Sequence, residues 1–153
     1  MDMLHVFIIS LVFPSAVWLV APRMLKHYGY DERKHKKVLL LACLIMFVSW
    51  YLPSPLIEGK DTSFTTHFLG GGVFCGLLGL YIQRTTAWRA PWYVELVVLY
   101  ALVSALGVTN ELFELALYKL HIMETVADTS WDLLANTLGA LMAYVVYKVW
   151  PRS

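Results

Sequence analysis

The sequence predicts an all-α membrane protein, a single integral membrane domain over residues 1–153 built as a polytopic bundle of five transmembrane helices. Three observations predict it. Of the 153 residues 59% are hydrophobic and only 15% charged, a membrane protein's balance rather than a soluble domain's. Long apolar runs follow one another with short polar breaks, leaving no stretch for a soluble domain. The charges are sorted by sign, with bases and acids in alternate breaks.

The runs lie at about 3–21, 35–52, 64–83, 92–120 and 131–150. Only helices or closed barrels satisfy every backbone group in lipid, and runs of this length without strict alternation are helices. The first run opens with "MDMLHVFIIS", which has Asp2 where a cleaved signal would carry bases, so it reads as a retained helix. The second is short and implies a start near His35 or a locally thin bilayer. The third contains "HFLGGGVFCGLLG", where Gly72 and Gly76 have the small-xxx-small spacing that lets helix backbones approach, and it should be central. The fourth and fifth begin near Trp92 and Trp131, and with Trp18, Trp50, Trp88 and Trp150 these indoles mark the ends of runs, where headgroups accommodate them.

The break "RMLKHYGYDERKHKK" carries Arg23, Lys26, Arg33, Lys34, Lys36 and Lys37 and should be cytoplasmic, against anionic lipid. Five spans then place the N-terminus outside and the C-terminus in the cytoplasm, with Arg84, Arg89, Lys148 and Arg152 also inside. Lys60 and Lys119 are left outside, facing Asp2, Glu58, Asp61, Glu111, Glu114, Glu124, Asp128 and Asp132. Glu95 falls near the inner end of the fourth run, within reach of Arg89 or headgroups, and reads as a solvated interface charge. Cys43 and Cys75 lie inside apolar runs, where a thiol is a small buried hydrophobe rather than half of a disulfide. No nucleic-acid motif is present, and Ser15, Ser49 and Ser104 have no His and acid placed beside them for nucleophilic catalysis.

The outer acids form a pattern. Residues four apart on a helix differ by about 40° in direction, so Asp128, Asp132 and Asn136 make one stripe, continued by Gly139. Glu111 and Glu114 share a face near the outer end of the fourth run, beside Asn110. His67 stands about one turn into the third run, and Asp61 begins the segment leading to it. An outward-opening polar cavity between the third, fourth and fifth helices is expected. Charge within a bilayer costs about 2.5–3.5 kcal/mol on insertion scales, so such residues are functional candidates. Repulsion and desolvation among them are relieved by a proton, a metal or a cationic ligand.

Three readings follow from the residues. His67, Glu111, Glu114 and Asp132 can hold a divalent metal, with an oxygen-rich set favouring Mg²⁺ or Mn²⁺ and admitting Zn²⁺. The same four can act as general acids and bases without metal, with Asn110, Asn136, Asp61 and Asp128 binding substrate. Alternatively the polar groups fix helix register.

The segments "KDTSFTTHFLGGG", "NELFEL" and "DTSWDLLANTLGAL" resemble the VanZ-like and YjdF-like small membrane proteins, in which D-x-x-x-H-F, E-x-x-E or E-x-x-Q, and D-x-x-x-N-x-x-G segments recur in that order. The resemblance covers roughly Asp61 to Ala143 and implies that Asp61, His67, Glu111, Glu114, Asp128, Asp132, Asn136 and Gly139 are the family's motif residues. Asp61 and His67 are further apart than the usual family spacing. VanZ is associated with resistance to a glycopeptide antibiotic, which implies action near the cell envelope of a prokaryotic plasma membrane. The expected function is an envelope enzyme acting on a lipid-linked or headgroup substrate, with membrane lipids as surroundings and no nucleic acid. Binding or transport of a cation or small cationic solute is the alternative, as is a non-catalytic subunit docking a membrane-protein partner.

Overall fold

A computed structural model describes residues 3–57, 60–120 and 129–149 of the chain. It is helical almost throughout, with five helices in chain order: α1 (Met3–His27), α2 (Lys36–Ser49), α3 (Phe74–Thr86), α4 (Trp92–Lys119) and α5 (Thr129–Val149). A π-helical segment, Thr66–Val73, runs directly into α3. Before it, Leu56–Ile57 (β1) pairs antiparallel with Lys60–Asp61 (β2), Leu56 opposite Asp61.

The apolar runs and the helices differ most at α1. It continues past the apolar stretch, through Pro22, to Lys26 and His27, where bases suit the carbonyl-rich end of a helix. α2 has 14 residues, about 21 Å at the α-helical rise and shorter than the roughly 30 Å of a bilayer core. α3 closes on Ala87 in the left-handed region (φ 53), and Pro91, with no N–H to leave unsatisfied, precedes α4.

The π segment and α3 are the centre of the bundle. α5 packs on the π segment in the most extensive contact of the fold, α2 packs on the other side, α4 on α5 and α3, and α1 chiefly on α2. Glycine makes the first contact possible, because a Cβ on Gly72 would stand 2.8 Å from the Gly139 Cα and one on Gly139 3.0 Å from the Val73 nitrogen. The three consecutive glycines, Gly70 to Gly72, lie inside the π segment; without side chains to pack, they leave the backbone free to take the wider turn.

Leu39, Ala42, Phe74, Cys75, Tyr81, Val103 and Ala140 are buried between the helices, and both cysteines are free thiols inside the protein. The outside is apolar as well: Val12, Val97, Tyr100 and Leu112 are among many large apolar side chains left exposed. Exposed apolar area on this scale suits a surface that meets lipid or another protein. Two helices, Val6–His27 and Trp92–Lys119, are long and apolar enough to cross a membrane.

The basic loop docks at one end of the bundle. The Tyr81 hydroxyl donates to the Glu32 carbonyl (3.0 Å) and the Thr85 hydroxyl to that of Lys34 (3.3 Å). His67 lies at the other end of the same continuous helix.

Candidate functional site

His67 is delivered by the π segment, whose entry is held by several local bonds. The Thr65 amide donates to the Ser54 hydroxyl (3.1 Å), the Thr65 hydroxyl to the Pro53 carbonyl (2.9 Å) and the His67 amide to the Ser63 carbonyl (3.1 Å). Ser63 has φ 53, the left-handed region that a serine adopts at a cost of about 1 kcal/mol, so the turn into the helix is imposed by its surroundings. The π register matters because it shifts every side chain after it relative to an α-helix.

Asp132 comes from the first turn of α5 and is wholly buried. Its Oδ1 stands 3.3 Å from His67 Nε2. Glu111, 9% exposed, reaches the same place from α4. One donor atom from each of His67, Glu111 and Asp132 lies within 4.8 Å of the other two. Both carboxylate oxygens of Glu111 are buried with no hydrogen-bond partner among the described residues. Asn136, one turn beyond Asp132 and 4% exposed, likewise has a buried Oδ1 with no partner.

Glu114 and Asn110 belong to a neighbouring feature. Asn110 Nδ2 donates to Glu114 Oε1 (2.7 Å), and both side chains line a cavity of about 90 Å³ with His67 and Asn136. The expected cavity between three helices is walled by α1 and α2 too, through Phe13, Met46 and Trp50. The candidate residues thus fall into a compact trio, His67, Glu111 and Asp132, and an adjoining polar pocket that shares His67. Glu114 stands outside the trio. Asp61 lies in β2, and Asp128 falls outside the described residues.

Glu95 differs from its expected role. Instead of meeting solvent or Arg89 it is 8% exposed, pairs with Lys148 Nζ (2.5 Å), and accepts from Gln83 Nε2 (2.7 Å) and the Tyr144 hydroxyl (3.0 Å). This network ties α3, α4 and α5 together at the end opposite the trio. The signal in the sequence is the spacing of Tyr144 and Lys148, four apart on the stripe that carries Asp132, Asn136 and Ala140.

The trio could hold a divalent metal. One imidazole and two carboxylates supply the nitrogen and oxygen donors that Zn²⁺, Mn²⁺ and related ions take at about 2.0–2.2 Å. Two such ligands at a tetrahedral angle are about 3.4 Å apart, close to the His67 to Asp132 separation. The unpartnered oxygens of Glu111 leave a need that a cation or a proton would meet, since an isolated buried carboxylate costs several kcal/mol.

No curated protein and no solved structure matches the chain. A family model described as "Predicted membrane protein (DUF2238)" matches residues 61–153, a stretch that holds the π segment, α3, α4, α5 and all three residues of the trio while leaving α1 and α2 outside it. With more than half of its length matched, this chain belongs to that membrane-protein family.

Proposed function

We propose that the protein is a metal-dependent enzyme of the cell envelope that acts on a lipid headgroup or lipid-linked substrate, with His67, Glu111 and Asp132 holding a divalent cation. The observation that carries the reading is Glu111, nine-tenths buried beside His67 and Asp132 with two unpartnered carboxylate oxygens. A bound divalent ion would supply Lewis acidity, polarising a phosphoryl or acyl oxygen and lowering the pKa of water. Glu114, oriented by Asn110, and Asn136 both line the adjoining pocket and are the candidate contacts for substrate.

In this reading all five helices cross the membrane, with the N-terminus outside, the C-terminus in the cytoplasm and the trio in the outer half of a prokaryotic plasma membrane. The sorting of bases and acids along the chain supports that orientation. The resemblance of "DTSWDLLANTLGAL" to VanZ-like and YjdF-like proteins supports an envelope role. Transport of a cation finds less support, because the buried side chains Phe74, Cys75, Val103 and Ala140 lie between the trio and the Glu95 network.

Elemental analysis of the detergent-purified protein tests the reading. After incubation with Mg²⁺, Mn²⁺ or Zn²⁺ and desalting, the parent should retain near-stoichiometric metal, and Glu111→Gln and Asp132→Asn, with melting transitions intact, should retain little. A well-folded parent that retains none of the three ions overturns the metal assignment.

A further inference from the structure

The pocket beside the trio opens sideways. α1 and α4 both wall it, yet the backbones of α1 and α4, of α1 and α5, and of α2 and α4 nowhere come within 8 Å of one another at their Cα atoms. Phe13 of α1 lines the pocket and packs edge-on against Phe74 (ring centroids 6.4 Å apart), yet is 47% exposed. A crevice thus runs between the α1–α2 pair and α4, floored by the π segment, with Phe13, Met46, Val103 and Leu106 along it. Apolar side chains of α1 and α4, among them Val12 and Val108, are exposed next in sequence to the lining residues Phe13 and Gly107. An acyl chain can lie against such walls without leaving the bilayer.

The polar part of the pocket is rich in acceptors. Glu114 has Oε1 engaged by Asn110, and among the described residues neither Glu114 nor Glu111 pairs with a Lys or Arg. Asn136 lines the same pocket, and its buried Oδ1 lacks a donor. The described bases lie elsewhere: Lys119 sits over the Tyr118 ring, while Arg84 and Lys148 flank Tyr147 at the opposite end of the bundle. A carboxylate lining a low-dielectric pocket with no cation of its own calls for a ligand that brings both positive charge and N–H donors. The cavity of about 90 Å³ has room for a small cationic group such as an ammonium on a short carbon stem.

We propose that this crevice admits, laterally from the bilayer, a phospholipid whose headgroup ends in a primary amine, with the ammonium on Glu114 and the acyl chains lying between α1 and α4. This inference rests on the envelope-enzyme reading and names its substrate class. A choline head offers no N–H donor and a glycerol head no positive charge, so the pocket discriminates between heads that share the same phosphate and tails.

Native mass spectrometry of the purified protein, presented with ethanolamine, choline and glycerol phospholipids of identical acyl chains, tests the proposal. The parent should retain the ethanolamine lipid at least about tenfold over the other two, the scale of one charge-assisted hydrogen bond. Glu114→Gln should abolish the preference while leaving metal content and melting temperature near the parent's. Leu106→Trp, which fills the crevice away from the carboxylate, should lower retention of the ethanolamine lipid in a protein that still binds metal. Equal retention of the three lipids by the parent, or a preference that survives Glu114→Gln, overturns the proposal. Metal binding without headgroup preference refutes the lipid inference alone, and Glu114-dependent preference in a protein that retains no metal refutes the metal assignment alone.

Discussion

The contact between α5 and the π segment sets the position of Asp132 relative to His67, and Gly139→Ala tests it directly. A Cβ at Gly139 would stand 3.0 Å from both the Phe68 carbonyl carbon and the Val73 nitrogen, and would overlap the Phe68 carbonyl oxygen. All three atoms are backbone, so no rotamer change relieves the clash, and the two helices must separate by at least a few tenths of an ångström. Overpacking of this kind costs about 1–3 kcal/mol. For a chain of this size that corresponds to a fall in melting temperature of roughly 2–12 °C. Thermal melting of the detergent-purified protein, followed by tryptophan fluorescence, measures it. Because α5 carries Asp132 and the π segment carries His67, metal uptake should fall together with stability. Gly79→Ala is the matched control. Its Cβ would meet only Leu102 Cδ2 and Leu99 Cδ1, at 3.8 and 3.9 Å, so removing a glycine from mid-helix should be neutral or stabilise by up to about 1 kcal/mol. If Gly139→Ala melts at or above the parent's temperature, the close approach of α5 does not govern the site and the reasoning fails.

Three further outcomes follow from other contacts. Glu95→Ala strands the Lys148 ammonium and removes acceptors from Gln83 and Tyr144, so it should destabilise by about 2–4 kcal/mol; adding Lys148→Met should restore at least half of that, and strictly additive losses in the melting curves would dismiss the pair as a unit. Tyr81→Phe deletes the hydroxyl bond to the Glu32 carbonyl and should cost about 1 kcal/mol, with proteolysis of the loop at Arg33 and Lys34 accelerated; unchanged cleavage kinetics would mean that the bond does not hold the loop. Cys75, enclosed in the core, should react with a maleimide only at the rate of unfolding, and rapid labelling of the native protein would show that the centre of the bundle opens.

Much of the helical architecture is legible because it depends on local pattern. An apolar run of bilayer length that does not alternate can only be a helix in lipid, and Pro91, Trp92 and Trp131 mark boundaries that need no knowledge of neighbours. The same local logic groups Asp132 with Asn136, since residues four apart share a helix face whatever packs against it. It also singles out His67, Glu111 and Glu114 as charges or donors with no place in an apolar run.

Local pattern cannot say which of those residues meet. Glu111 and Glu114 are three apart and differ by only about 60° in direction, so the sequence treats them alike. The crossing of α4 over α5 separates them, turning Glu111 toward Asp132 and leaving Glu114 beside Asn110 in the pocket. Glu95 reads as an interface charge until α3 and α5 bring Gln83, Tyr144 and Lys148 around it. The π register of Thr66–Val73 is equally hidden, because glycines permit it but the backbone of α5 is what they accommodate. By itself the sequence determined the helical class and picked out His67, Glu111, Asp132 and Asn136 as polar groups inside apolar runs, since both follow from periodicity and transfer free energy along one chain. Only the tertiary structure decided which groups form the trio, which line the pocket and where that pocket opens, because those depend on how far apart helices distant in sequence come to rest.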